Sequence, residues 1–189
     1  MRLGQLIDDL RQTMDSTTGL PPLKQDRVYP VDLLLASARL VRGQFQQAGL
    51  ALDTQPLEAL APHQELAVQG DAERLTQVFV NLLENSLRYT DPGGRTVLRA
   101  ETGPAQTLVL QIDDTAPAPA SADMPRLFER LFRGEASRTR ALGGSGLGLA
   151  LCKSLVEAHG GQITAHMSPL GGLQIHIHLP LAGTLETDT

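Results

Sequence analysis

The chain has 189 residues, 41% of them hydrophobic and 20% charged, with a formal net charge of −5. That balance suits one packed domain with a short appendage and excludes wholesale disorder. It also excludes broad binding along a nucleic-acid backbone, which needs a basic face, so no nucleic-acid partner is expected.

There is no Trp, with four Phe and two Tyr, so the core must be largely aliphatic. Cys152 is the only cysteine. An internal disulfide and a zinc site built from several cysteines are therefore excluded, and a cytosolic setting fits. No apolar run reaches the roughly 18 residues that a spanning helix needs. Met1–Arg11 does not read as a signal peptide. Any membrane anchor of a parent protein is expected outside this chain.

In chain order, Leu3, Leu6, Ile7, Leu10 and Met14 recur at helical spacing, which predicts a helix over 2–14. The stripe is too short to hold alone and wants a partner helix. Residues 15–30 carry Gly19, Pro21, Pro22 and Pro30 and read as a linker. The domain proper is expected over 31–181, with 182–189 as a disordered tail.

Asp32 can start a helix that ends near Gly49. Strands are expected at about 50–54 and 65–69. Asp71 caps a helix over 72–89, which the turn Asp91-Pro92-Gly93-Gly94 ends. Thr96 to Glu101 and Thr107 to Ile112 alternate and read as paired strands. A short helix near 123–132, a polar glycine-ending segment and a helix over 146–159 follow. Strands at 162–168 and 173–179 close the chain around Ser168-Pro169-Leu170-Gly171-Gly172. This order predicts an α+β two-layer sandwich, one sheet covered by three helices.

Four elements carry chemistry. On the 72–89 helix, Val78, Tyr89, Leu82, Leu75, Phe79 and Leu83 share one broad face. Asn81, Asn85 and Arg88 form a narrow stripe beside it. Two carboxamides one turn apart can offer oxygens to a hard cation, an arginine can meet phosphate, and Tyr89 can stack on a base. A solvated polar face explains an isolated stripe equally well.

Second, Gly143-Gly144-Ser145-Gly146-Leu147-Gly148 opens a helix whose first amides suit phosphate. It is neither a P-loop nor a dinucleotide fingerprint. A flexible helix start is the plainer reading. In that helix Leu147, Ala150, Leu151, Ser154, Leu155 and Ala158 are expected to be buried, with Cys152 outside the stripe. Third, Asp114 shares strand parity with Leu108, Leu110 and Ile112, and a carboxylate on an inward row needs a donor. An adenine amine would serve; so would a turn. Fourth, Phe128 and Phe132 in "LFERLFR" sit at one-turn spacing and can dock a mobile segment on the core. Arg133, Arg138 and Arg140 follow in a basic stretch.

These elements occur in the order and at the spacing of the N, G1, F and G2 boxes of histidine kinase catalytic domains. From about residue 31 to 181 the chain resembles the Bergerat-fold (GHKL) superfamily. The resemblance rests on "NLLENSLRYTDPGG" (81–94), "LFERLFRGEASRTR" (127–140) and "GGSGLGLAL" (143–151). "VEAHGGQI" (156–163) and "GGLQIHIHLP" (171–180) extend it. The wording is similar to that of BaeS-type sensor kinases. "LGQLIDDLRQ" resembles the end of the second helix of a dimerisation hairpin.

The resemblance implies a mixed, mostly antiparallel sheet and a mobile ATP lid over 133–145. ATP and Mg²⁺ are the implied cofactors. Asn85 would ligate Mg²⁺ with help from Asn81, and Arg88 and Arg133 would meet phosphate. Tyr89 would stack on adenine, and Asp114 would accept from its amine. Gly144, Gly146, Leu147 and Gly148 would turn backbone N–H groups to the phosphates. One departure is that Ala116 and Ala118 stand where the family's G1 box has glycines. That leads us to expect weakened nucleotide binding or a shifted lid.

In the ATPases of the superfamily a Glu sits four residues before the Mg²⁺-binding Asn. Here that place is Asn81, which cannot act as a base, and Glu84 points about 100° away. The implied reaction is transfer of the γ-phosphoryl group to a histidine. None of His63, His159, His166, His176 and His178 lies in an acceptor-type helix start. The acceptor is therefore expected on dimerisation helices outside this chain, and the fragment is not expected to autophosphorylate alone. A response regulator and a homodimer formed through the parent are the other implied partners. The implied setting is the cytoplasmic portion of an inner-membrane protein. A transfer-deficient nucleotide-binding regulatory module and a GHKL ATPase are the alternatives.

Overall fold

The computed structural model describes residues 22–60, 65–115, 117–132 and 146–183. The expected helix over 2–14, the lid over 133–145 with Arg133 and Gly144, and the positions of His63 and Ala116 lie outside the described residues.

Strand β1 (Asp26–Val28) leads into helix α1 (Pro30–Gln47). Proline at the first helical position, preset for helical φ, starts α1 two residues before Asp32, which falls in the first turn. Strand β2 (Ala51–Asp53), the one-turn helix α2 (Gln55–Glu58) and strand β3 (Val68–Gly70) follow. Helix α3 (Ala72–Tyr89) is capped as expected: Asp71 accepts from the amides of Glu73 and Arg74. Strands β4 (Arg95–Gly103) and β5 (Thr107–Thr115), helix α4 (Gly148–Ala158), and strands β6 (Gln162–Met167) and β7 (Gly171–Pro180) complete the chain.

Five strands form one sheet in the order β2-β4-β5-β7-β6. Only the β2–β4 pair is parallel. Helices α1, α3 and α4 pack side by side, α3 in the middle. The inward rows Leu108-Leu110-Ile112 and Leu173-Ile175-Ile177-Leu179 meet them in one aliphatic core. Each such Leu or Ile contributes roughly 2 kcal/mol by leaving water. The alternate rows are polar, with Arg99 paired to Asp113 and with His166, His176 and His178 grouped on β6 and β7. The α+β sandwich with a mostly antiparallel sheet is what the sequence led us to expect.

Four local expectations change. The stretch read as linker carries β1, which pairs antiparallel with β3 in a separate two-stranded sheet. The strand expected at 65–69 begins at Val68 and belongs to that small sheet. No α-helix forms near 123–132. A single 3₁₀ turn, Met124–Arg126, gives way to turns, and Leu131 adopts φ 61°. Phe132 lies beneath the Arg126 guanidinium, 4.4 Å from ring centroid to carbon.

Finally, the buried face of α4 is rotated. Cys152 and Val156 are fully buried, whereas Ala158 is exposed and Ser154 half-buried. The helix must serve two neighbours, β6 and α3, so one narrow stripe does not suffice.

Candidate nucleotide site

The apolar face of α3 is as expected: Leu75, Val78, Phe79, Leu82 and Leu83 are buried and Tyr89 is half-buried. Beside it, Asn81, Asn85 and Arg88 are half-buried and Glu84 is exposed. The stripe therefore emerges at the edge of the helix layer rather than on its outer side.

The upper half of α3 is fixed to the end of β5. The Ser86 hydroxyl donates to Asp114 Oδ2 at 3.0 Å. The Leu173 amide donates to Asp114 Oδ1 at 2.6 Å. Asp114 is 4% exposed. Burial pushes its carboxyl up to about 6, helped by the negative charge of Asp113. The Leu173 amide and Ser86 hydroxyl oppose that rise. A Cβ on Gly172 would stand 2.3 Å from Asp114 Oδ1, so the first turn of β7 needs glycine there. Asp114 thus sits on the inward row, as its parity indicates, with two neutral donors and spare acceptor capacity.

The stripe on α3 also meets α4. Cys152 Sγ contacts the Val78 carbonyl at 3.7 Å, and the Asn81 carboxamide lies at the same thiol. Burial pushes that thiol up to about 12, so Cys152 is an inert packing group. Asn81 Nδ2 is buried without a partner among the described residues. So is Thr96 Oγ1, which stands opposite Asp114 in the β4–β5 ladder.

At the head of α4, Gly146 has φ 72° and its carbonyl accepts the Leu131 amide at 3.0 Å. A Cβ on Gly146 would stand 2.9 Å from the Leu131 carbonyl carbon. This glycine therefore lets the chain pass close to its own backbone. Leu147 is buried, and among the described residues no side chain caps α4, whose first turn holds Gly148 and Leu149. A Cβ at Gly148 would meet open space. Ala118 is not among the described residues with positive φ, so alanine at that glycine place carries no backbone strain.

Sequence reasoning missed Ser86, Gly172 and the Leu173 amide. Ser86 had a signal: it continues the stripe Leu75, Phe79, Leu82, and a polar residue on a buried stripe must find a partner. The backbone donor of Leu173 had none.

Residues 70–183 match the family described as histidine kinase-, DNA gyrase B- and HSP90-like ATPase. The signal transduction histidine-protein kinase BaeS of Escherichia coli K12 is 41% identical over 186 residues, covering 98% of this chain and 38% of that protein. The probable sensor histidine kinase TcrY of Mycobacterium tuberculosis is 36% identical over 182 residues, covering 96% of this chain and 36% of that protein. The solved structure of the mycobacterial sensor histidine kinase MprB is 27% identical with a TM-score of 0.68, covering 82% of this chain and 98% of that one. The chain spans less than two fifths of the length of those two curated relatives. With a pinned carboxylate at the end of β5, a carboxamide stripe on α3 and an uncapped glycine-led α4 on the page, the chain belongs to this family, as the ATP-binding domain of a sensor histidine kinase.

Proposed function

We propose that this domain presents Mg²⁺-bound ATP for transfer of its γ-phosphoryl group to a histidine carried outside the chain. The observation that carries the reading is Asp114. It is a buried carboxylate held by two neutral donors, with lone pairs left for an adenine amine.

In this reading Tyr89 stacks on the purine and Arg88 and Arg133 approach phosphate. Gly144, Gly146, Leu147 and Gly148 supply the backbone around the phosphates. Asn85, with Asn81, offers carboxamide oxygen to Mg²⁺. The donor set fits: carboxamide oxygens without carboxylates, with Asn85 half-buried at the edge of the helix layer, suit a cation held mostly by substrate phosphates. When bound, Mg²⁺ offsets the negative charge of the phosphoryl group. The chain's own residues bind, orient and exclude water. Asn81 has no basic atom to activate water, and exposed Glu84 points away from the stripe. That favours transfer over hydrolysis.

Among the described residues, no helix is long and apolar enough to cross a membrane. We place the domain in the cytoplasmic part of a membrane-anchored parent. Its partners there would be the dimerisation helices, a second copy through those helices, and a response regulator. The test supplies the parent's dimerisation hairpin in trans with ATP and Mg²⁺. Acid-labile phosphohistidine on the hairpin is the expected result. Steady phosphate release with an unlabelled hairpin would point to an ATPase instead.

A further inference from the structure

Ser86 is the one hydroxyl on the buried stripe of α3 that reaches the β-sheet carboxylate, and it does so at 3.0 Å with both groups buried. We propose that Ser86 is a positioning residue for purine selection: its hydroxyl holds Asp114 as an ionised acceptor turned toward the adenine amine. The inference rests on the nucleotide reading above and assigns a residue that touches neither purine nor phosphate in it.

The surroundings of Asp114 leave this task to few groups. From β7 come the Leu173 amide on Oδ1 and the crowding of Gly172. From β4 comes Thr96, whose Oγ1 is buried and makes no bond to Asp114. From β5 itself the adjacent Asp113 adds negative charge from the opposite face, where Arg99 and Gln174 already hold it. From α3 the Ser86 hydroxyl alone supplies Oδ2 with a proton donor. Among the described residues no cation is bonded to either oxygen. Two neutral donors therefore oppose burial, and each oxygen has one.

The consequence is selectivity. Adenine presents an exocyclic amine, a donor that an ionised carboxylate accepts more strongly than a protonated carboxyl, whose O–H would face it. Guanine presents a carbonyl oxygen there, an acceptor that a protonated carboxyl would satisfy. A carboxyl held ionised reads the first and rejects the second. Without the Ser86 donor the same burial would keep the proton on Asp114 to higher pH. The pocket would then lose its preference first in mildly acidic solution.

The experiment titrates the 189-residue chain with the non-hydrolysable analogue AMP-PNP and its guanine counterpart GMP-PNP between pH 5.5 and 8. Wild type, Ser86→Ala and Ser86→Thr are compared. Removing a donor from a buried carboxylate raises its midpoint by about one pH unit. Ser86→Ala is then expected to bind AMP-PNP about fivefold more weakly than wild type at pH 6, and within twofold of it at pH 8. Its preference over GMP-PNP shrinks in parallel at pH 6. Ser86→Thr, which keeps the hydroxyl, restores the wild-type midpoint. A loss of affinity that is equal at every pH would reduce Ser86 to a packing role and overturn the inference. So would an unchanged midpoint. A wild-type chain that binds neither analogue would instead sink the nucleotide reading itself, and this inference with it.

Discussion

His159 Nε2 accepts the Asp71 amide at 3.0 Å, joining the end of α4 to the start of α3 across 88 residues of sequence. The ring's Nδ1 lies 2.7 Å from the Leu155 carbonyl, which fixes that nitrogen as the donor and Nε2 as the bare acceptor. The ring is 7% exposed. The imidazole thus locks together the two helices that flank the proposed nucleotide site, although it lies at their far ends.

This lock predicts two destabilised variants. His159→Ala leaves a buried amide unpaired and a void, and should lower stability by about 3 kcal/mol. Gly70→Ala would place a Cβ 2.5 Å from the His159 ring and should cost about 2 kcal/mol. Denaturant titration of each variant measures both. Wild-type midpoints would show that the ring is dispensable.

Asp71 adds a second anchor at the same junction. Burial pushes its carboxyl up, but the amides of Arg74, Lys24 and Glu73 outweigh that and hold it below the ordinary carboxylate range. Asp71→Ala should cost about 1 kcal/mol at neutral pH through the lost cap. Because the folded carboxyl is the stronger acid, its contribution is complete above the ordinary value of 3.8 and fades as pH falls below it. The gap between wild type and variant in urea melts should close in that acid range.

Asp114 behaves in the opposite sense. Its proton is held more tightly in the folded chain, with a midpoint of about 6 against 3.8. Stability from this group is therefore greatest below 3.8 and declines by about 3 kcal/mol as pH rises to 6. Asp114→Asn keeps the shape, lets its oxygen take the Leu173 amide and removes the charge. The ligand-free variant should be more stable than wild type above pH 6, and the difference should vanish near pH 4. The same variant should lose at least tenfold in AMP-PNP affinity at pH 8. A variant less stable than wild type at pH 8 would contradict the burial cost assigned to this carboxylate.

The alanine at the second G1 glycine place can be tested simply. Ala118 lies outside the left-handed region, so Ala118→Gly relieves no strain. It should lower stability by about 0.5–1 kcal/mol through the unfolded chain. Thermal melts measure this, and a stabilised Ala118→Gly chain would show hidden strain.

Much of this was legible from periodicity. The apolar face of α3, the Asp71 cap and the inward parity of Asp114 follow from spacing alone, because each depends on neighbours within a turn or a pleat. What was hidden depends on distant partners. The pairing of β1 with β3 joins Asp26 to Gly70, and nothing local in either three-residue strand announces it. The rotated face of α4 reflects a second neighbour, α3. The helix read at 123–132 failed because a chain returning to meet the carbonyl of Gly146 overrode the Phe128/Phe132 spacing.

The central claim is that α3 and β5 bracket a Mg²⁺-nucleotide. The most direct measurement is calorimetric titration of AMP-PNP into the wild-type chain and Asn85→Ala, each with and without Mg²⁺. Wild type should bind more tightly with the metal, and Asn85→Ala should show the same affinity in both conditions. Full metal dependence retained in Asn85→Ala would remove the carboxamide stripe from the site.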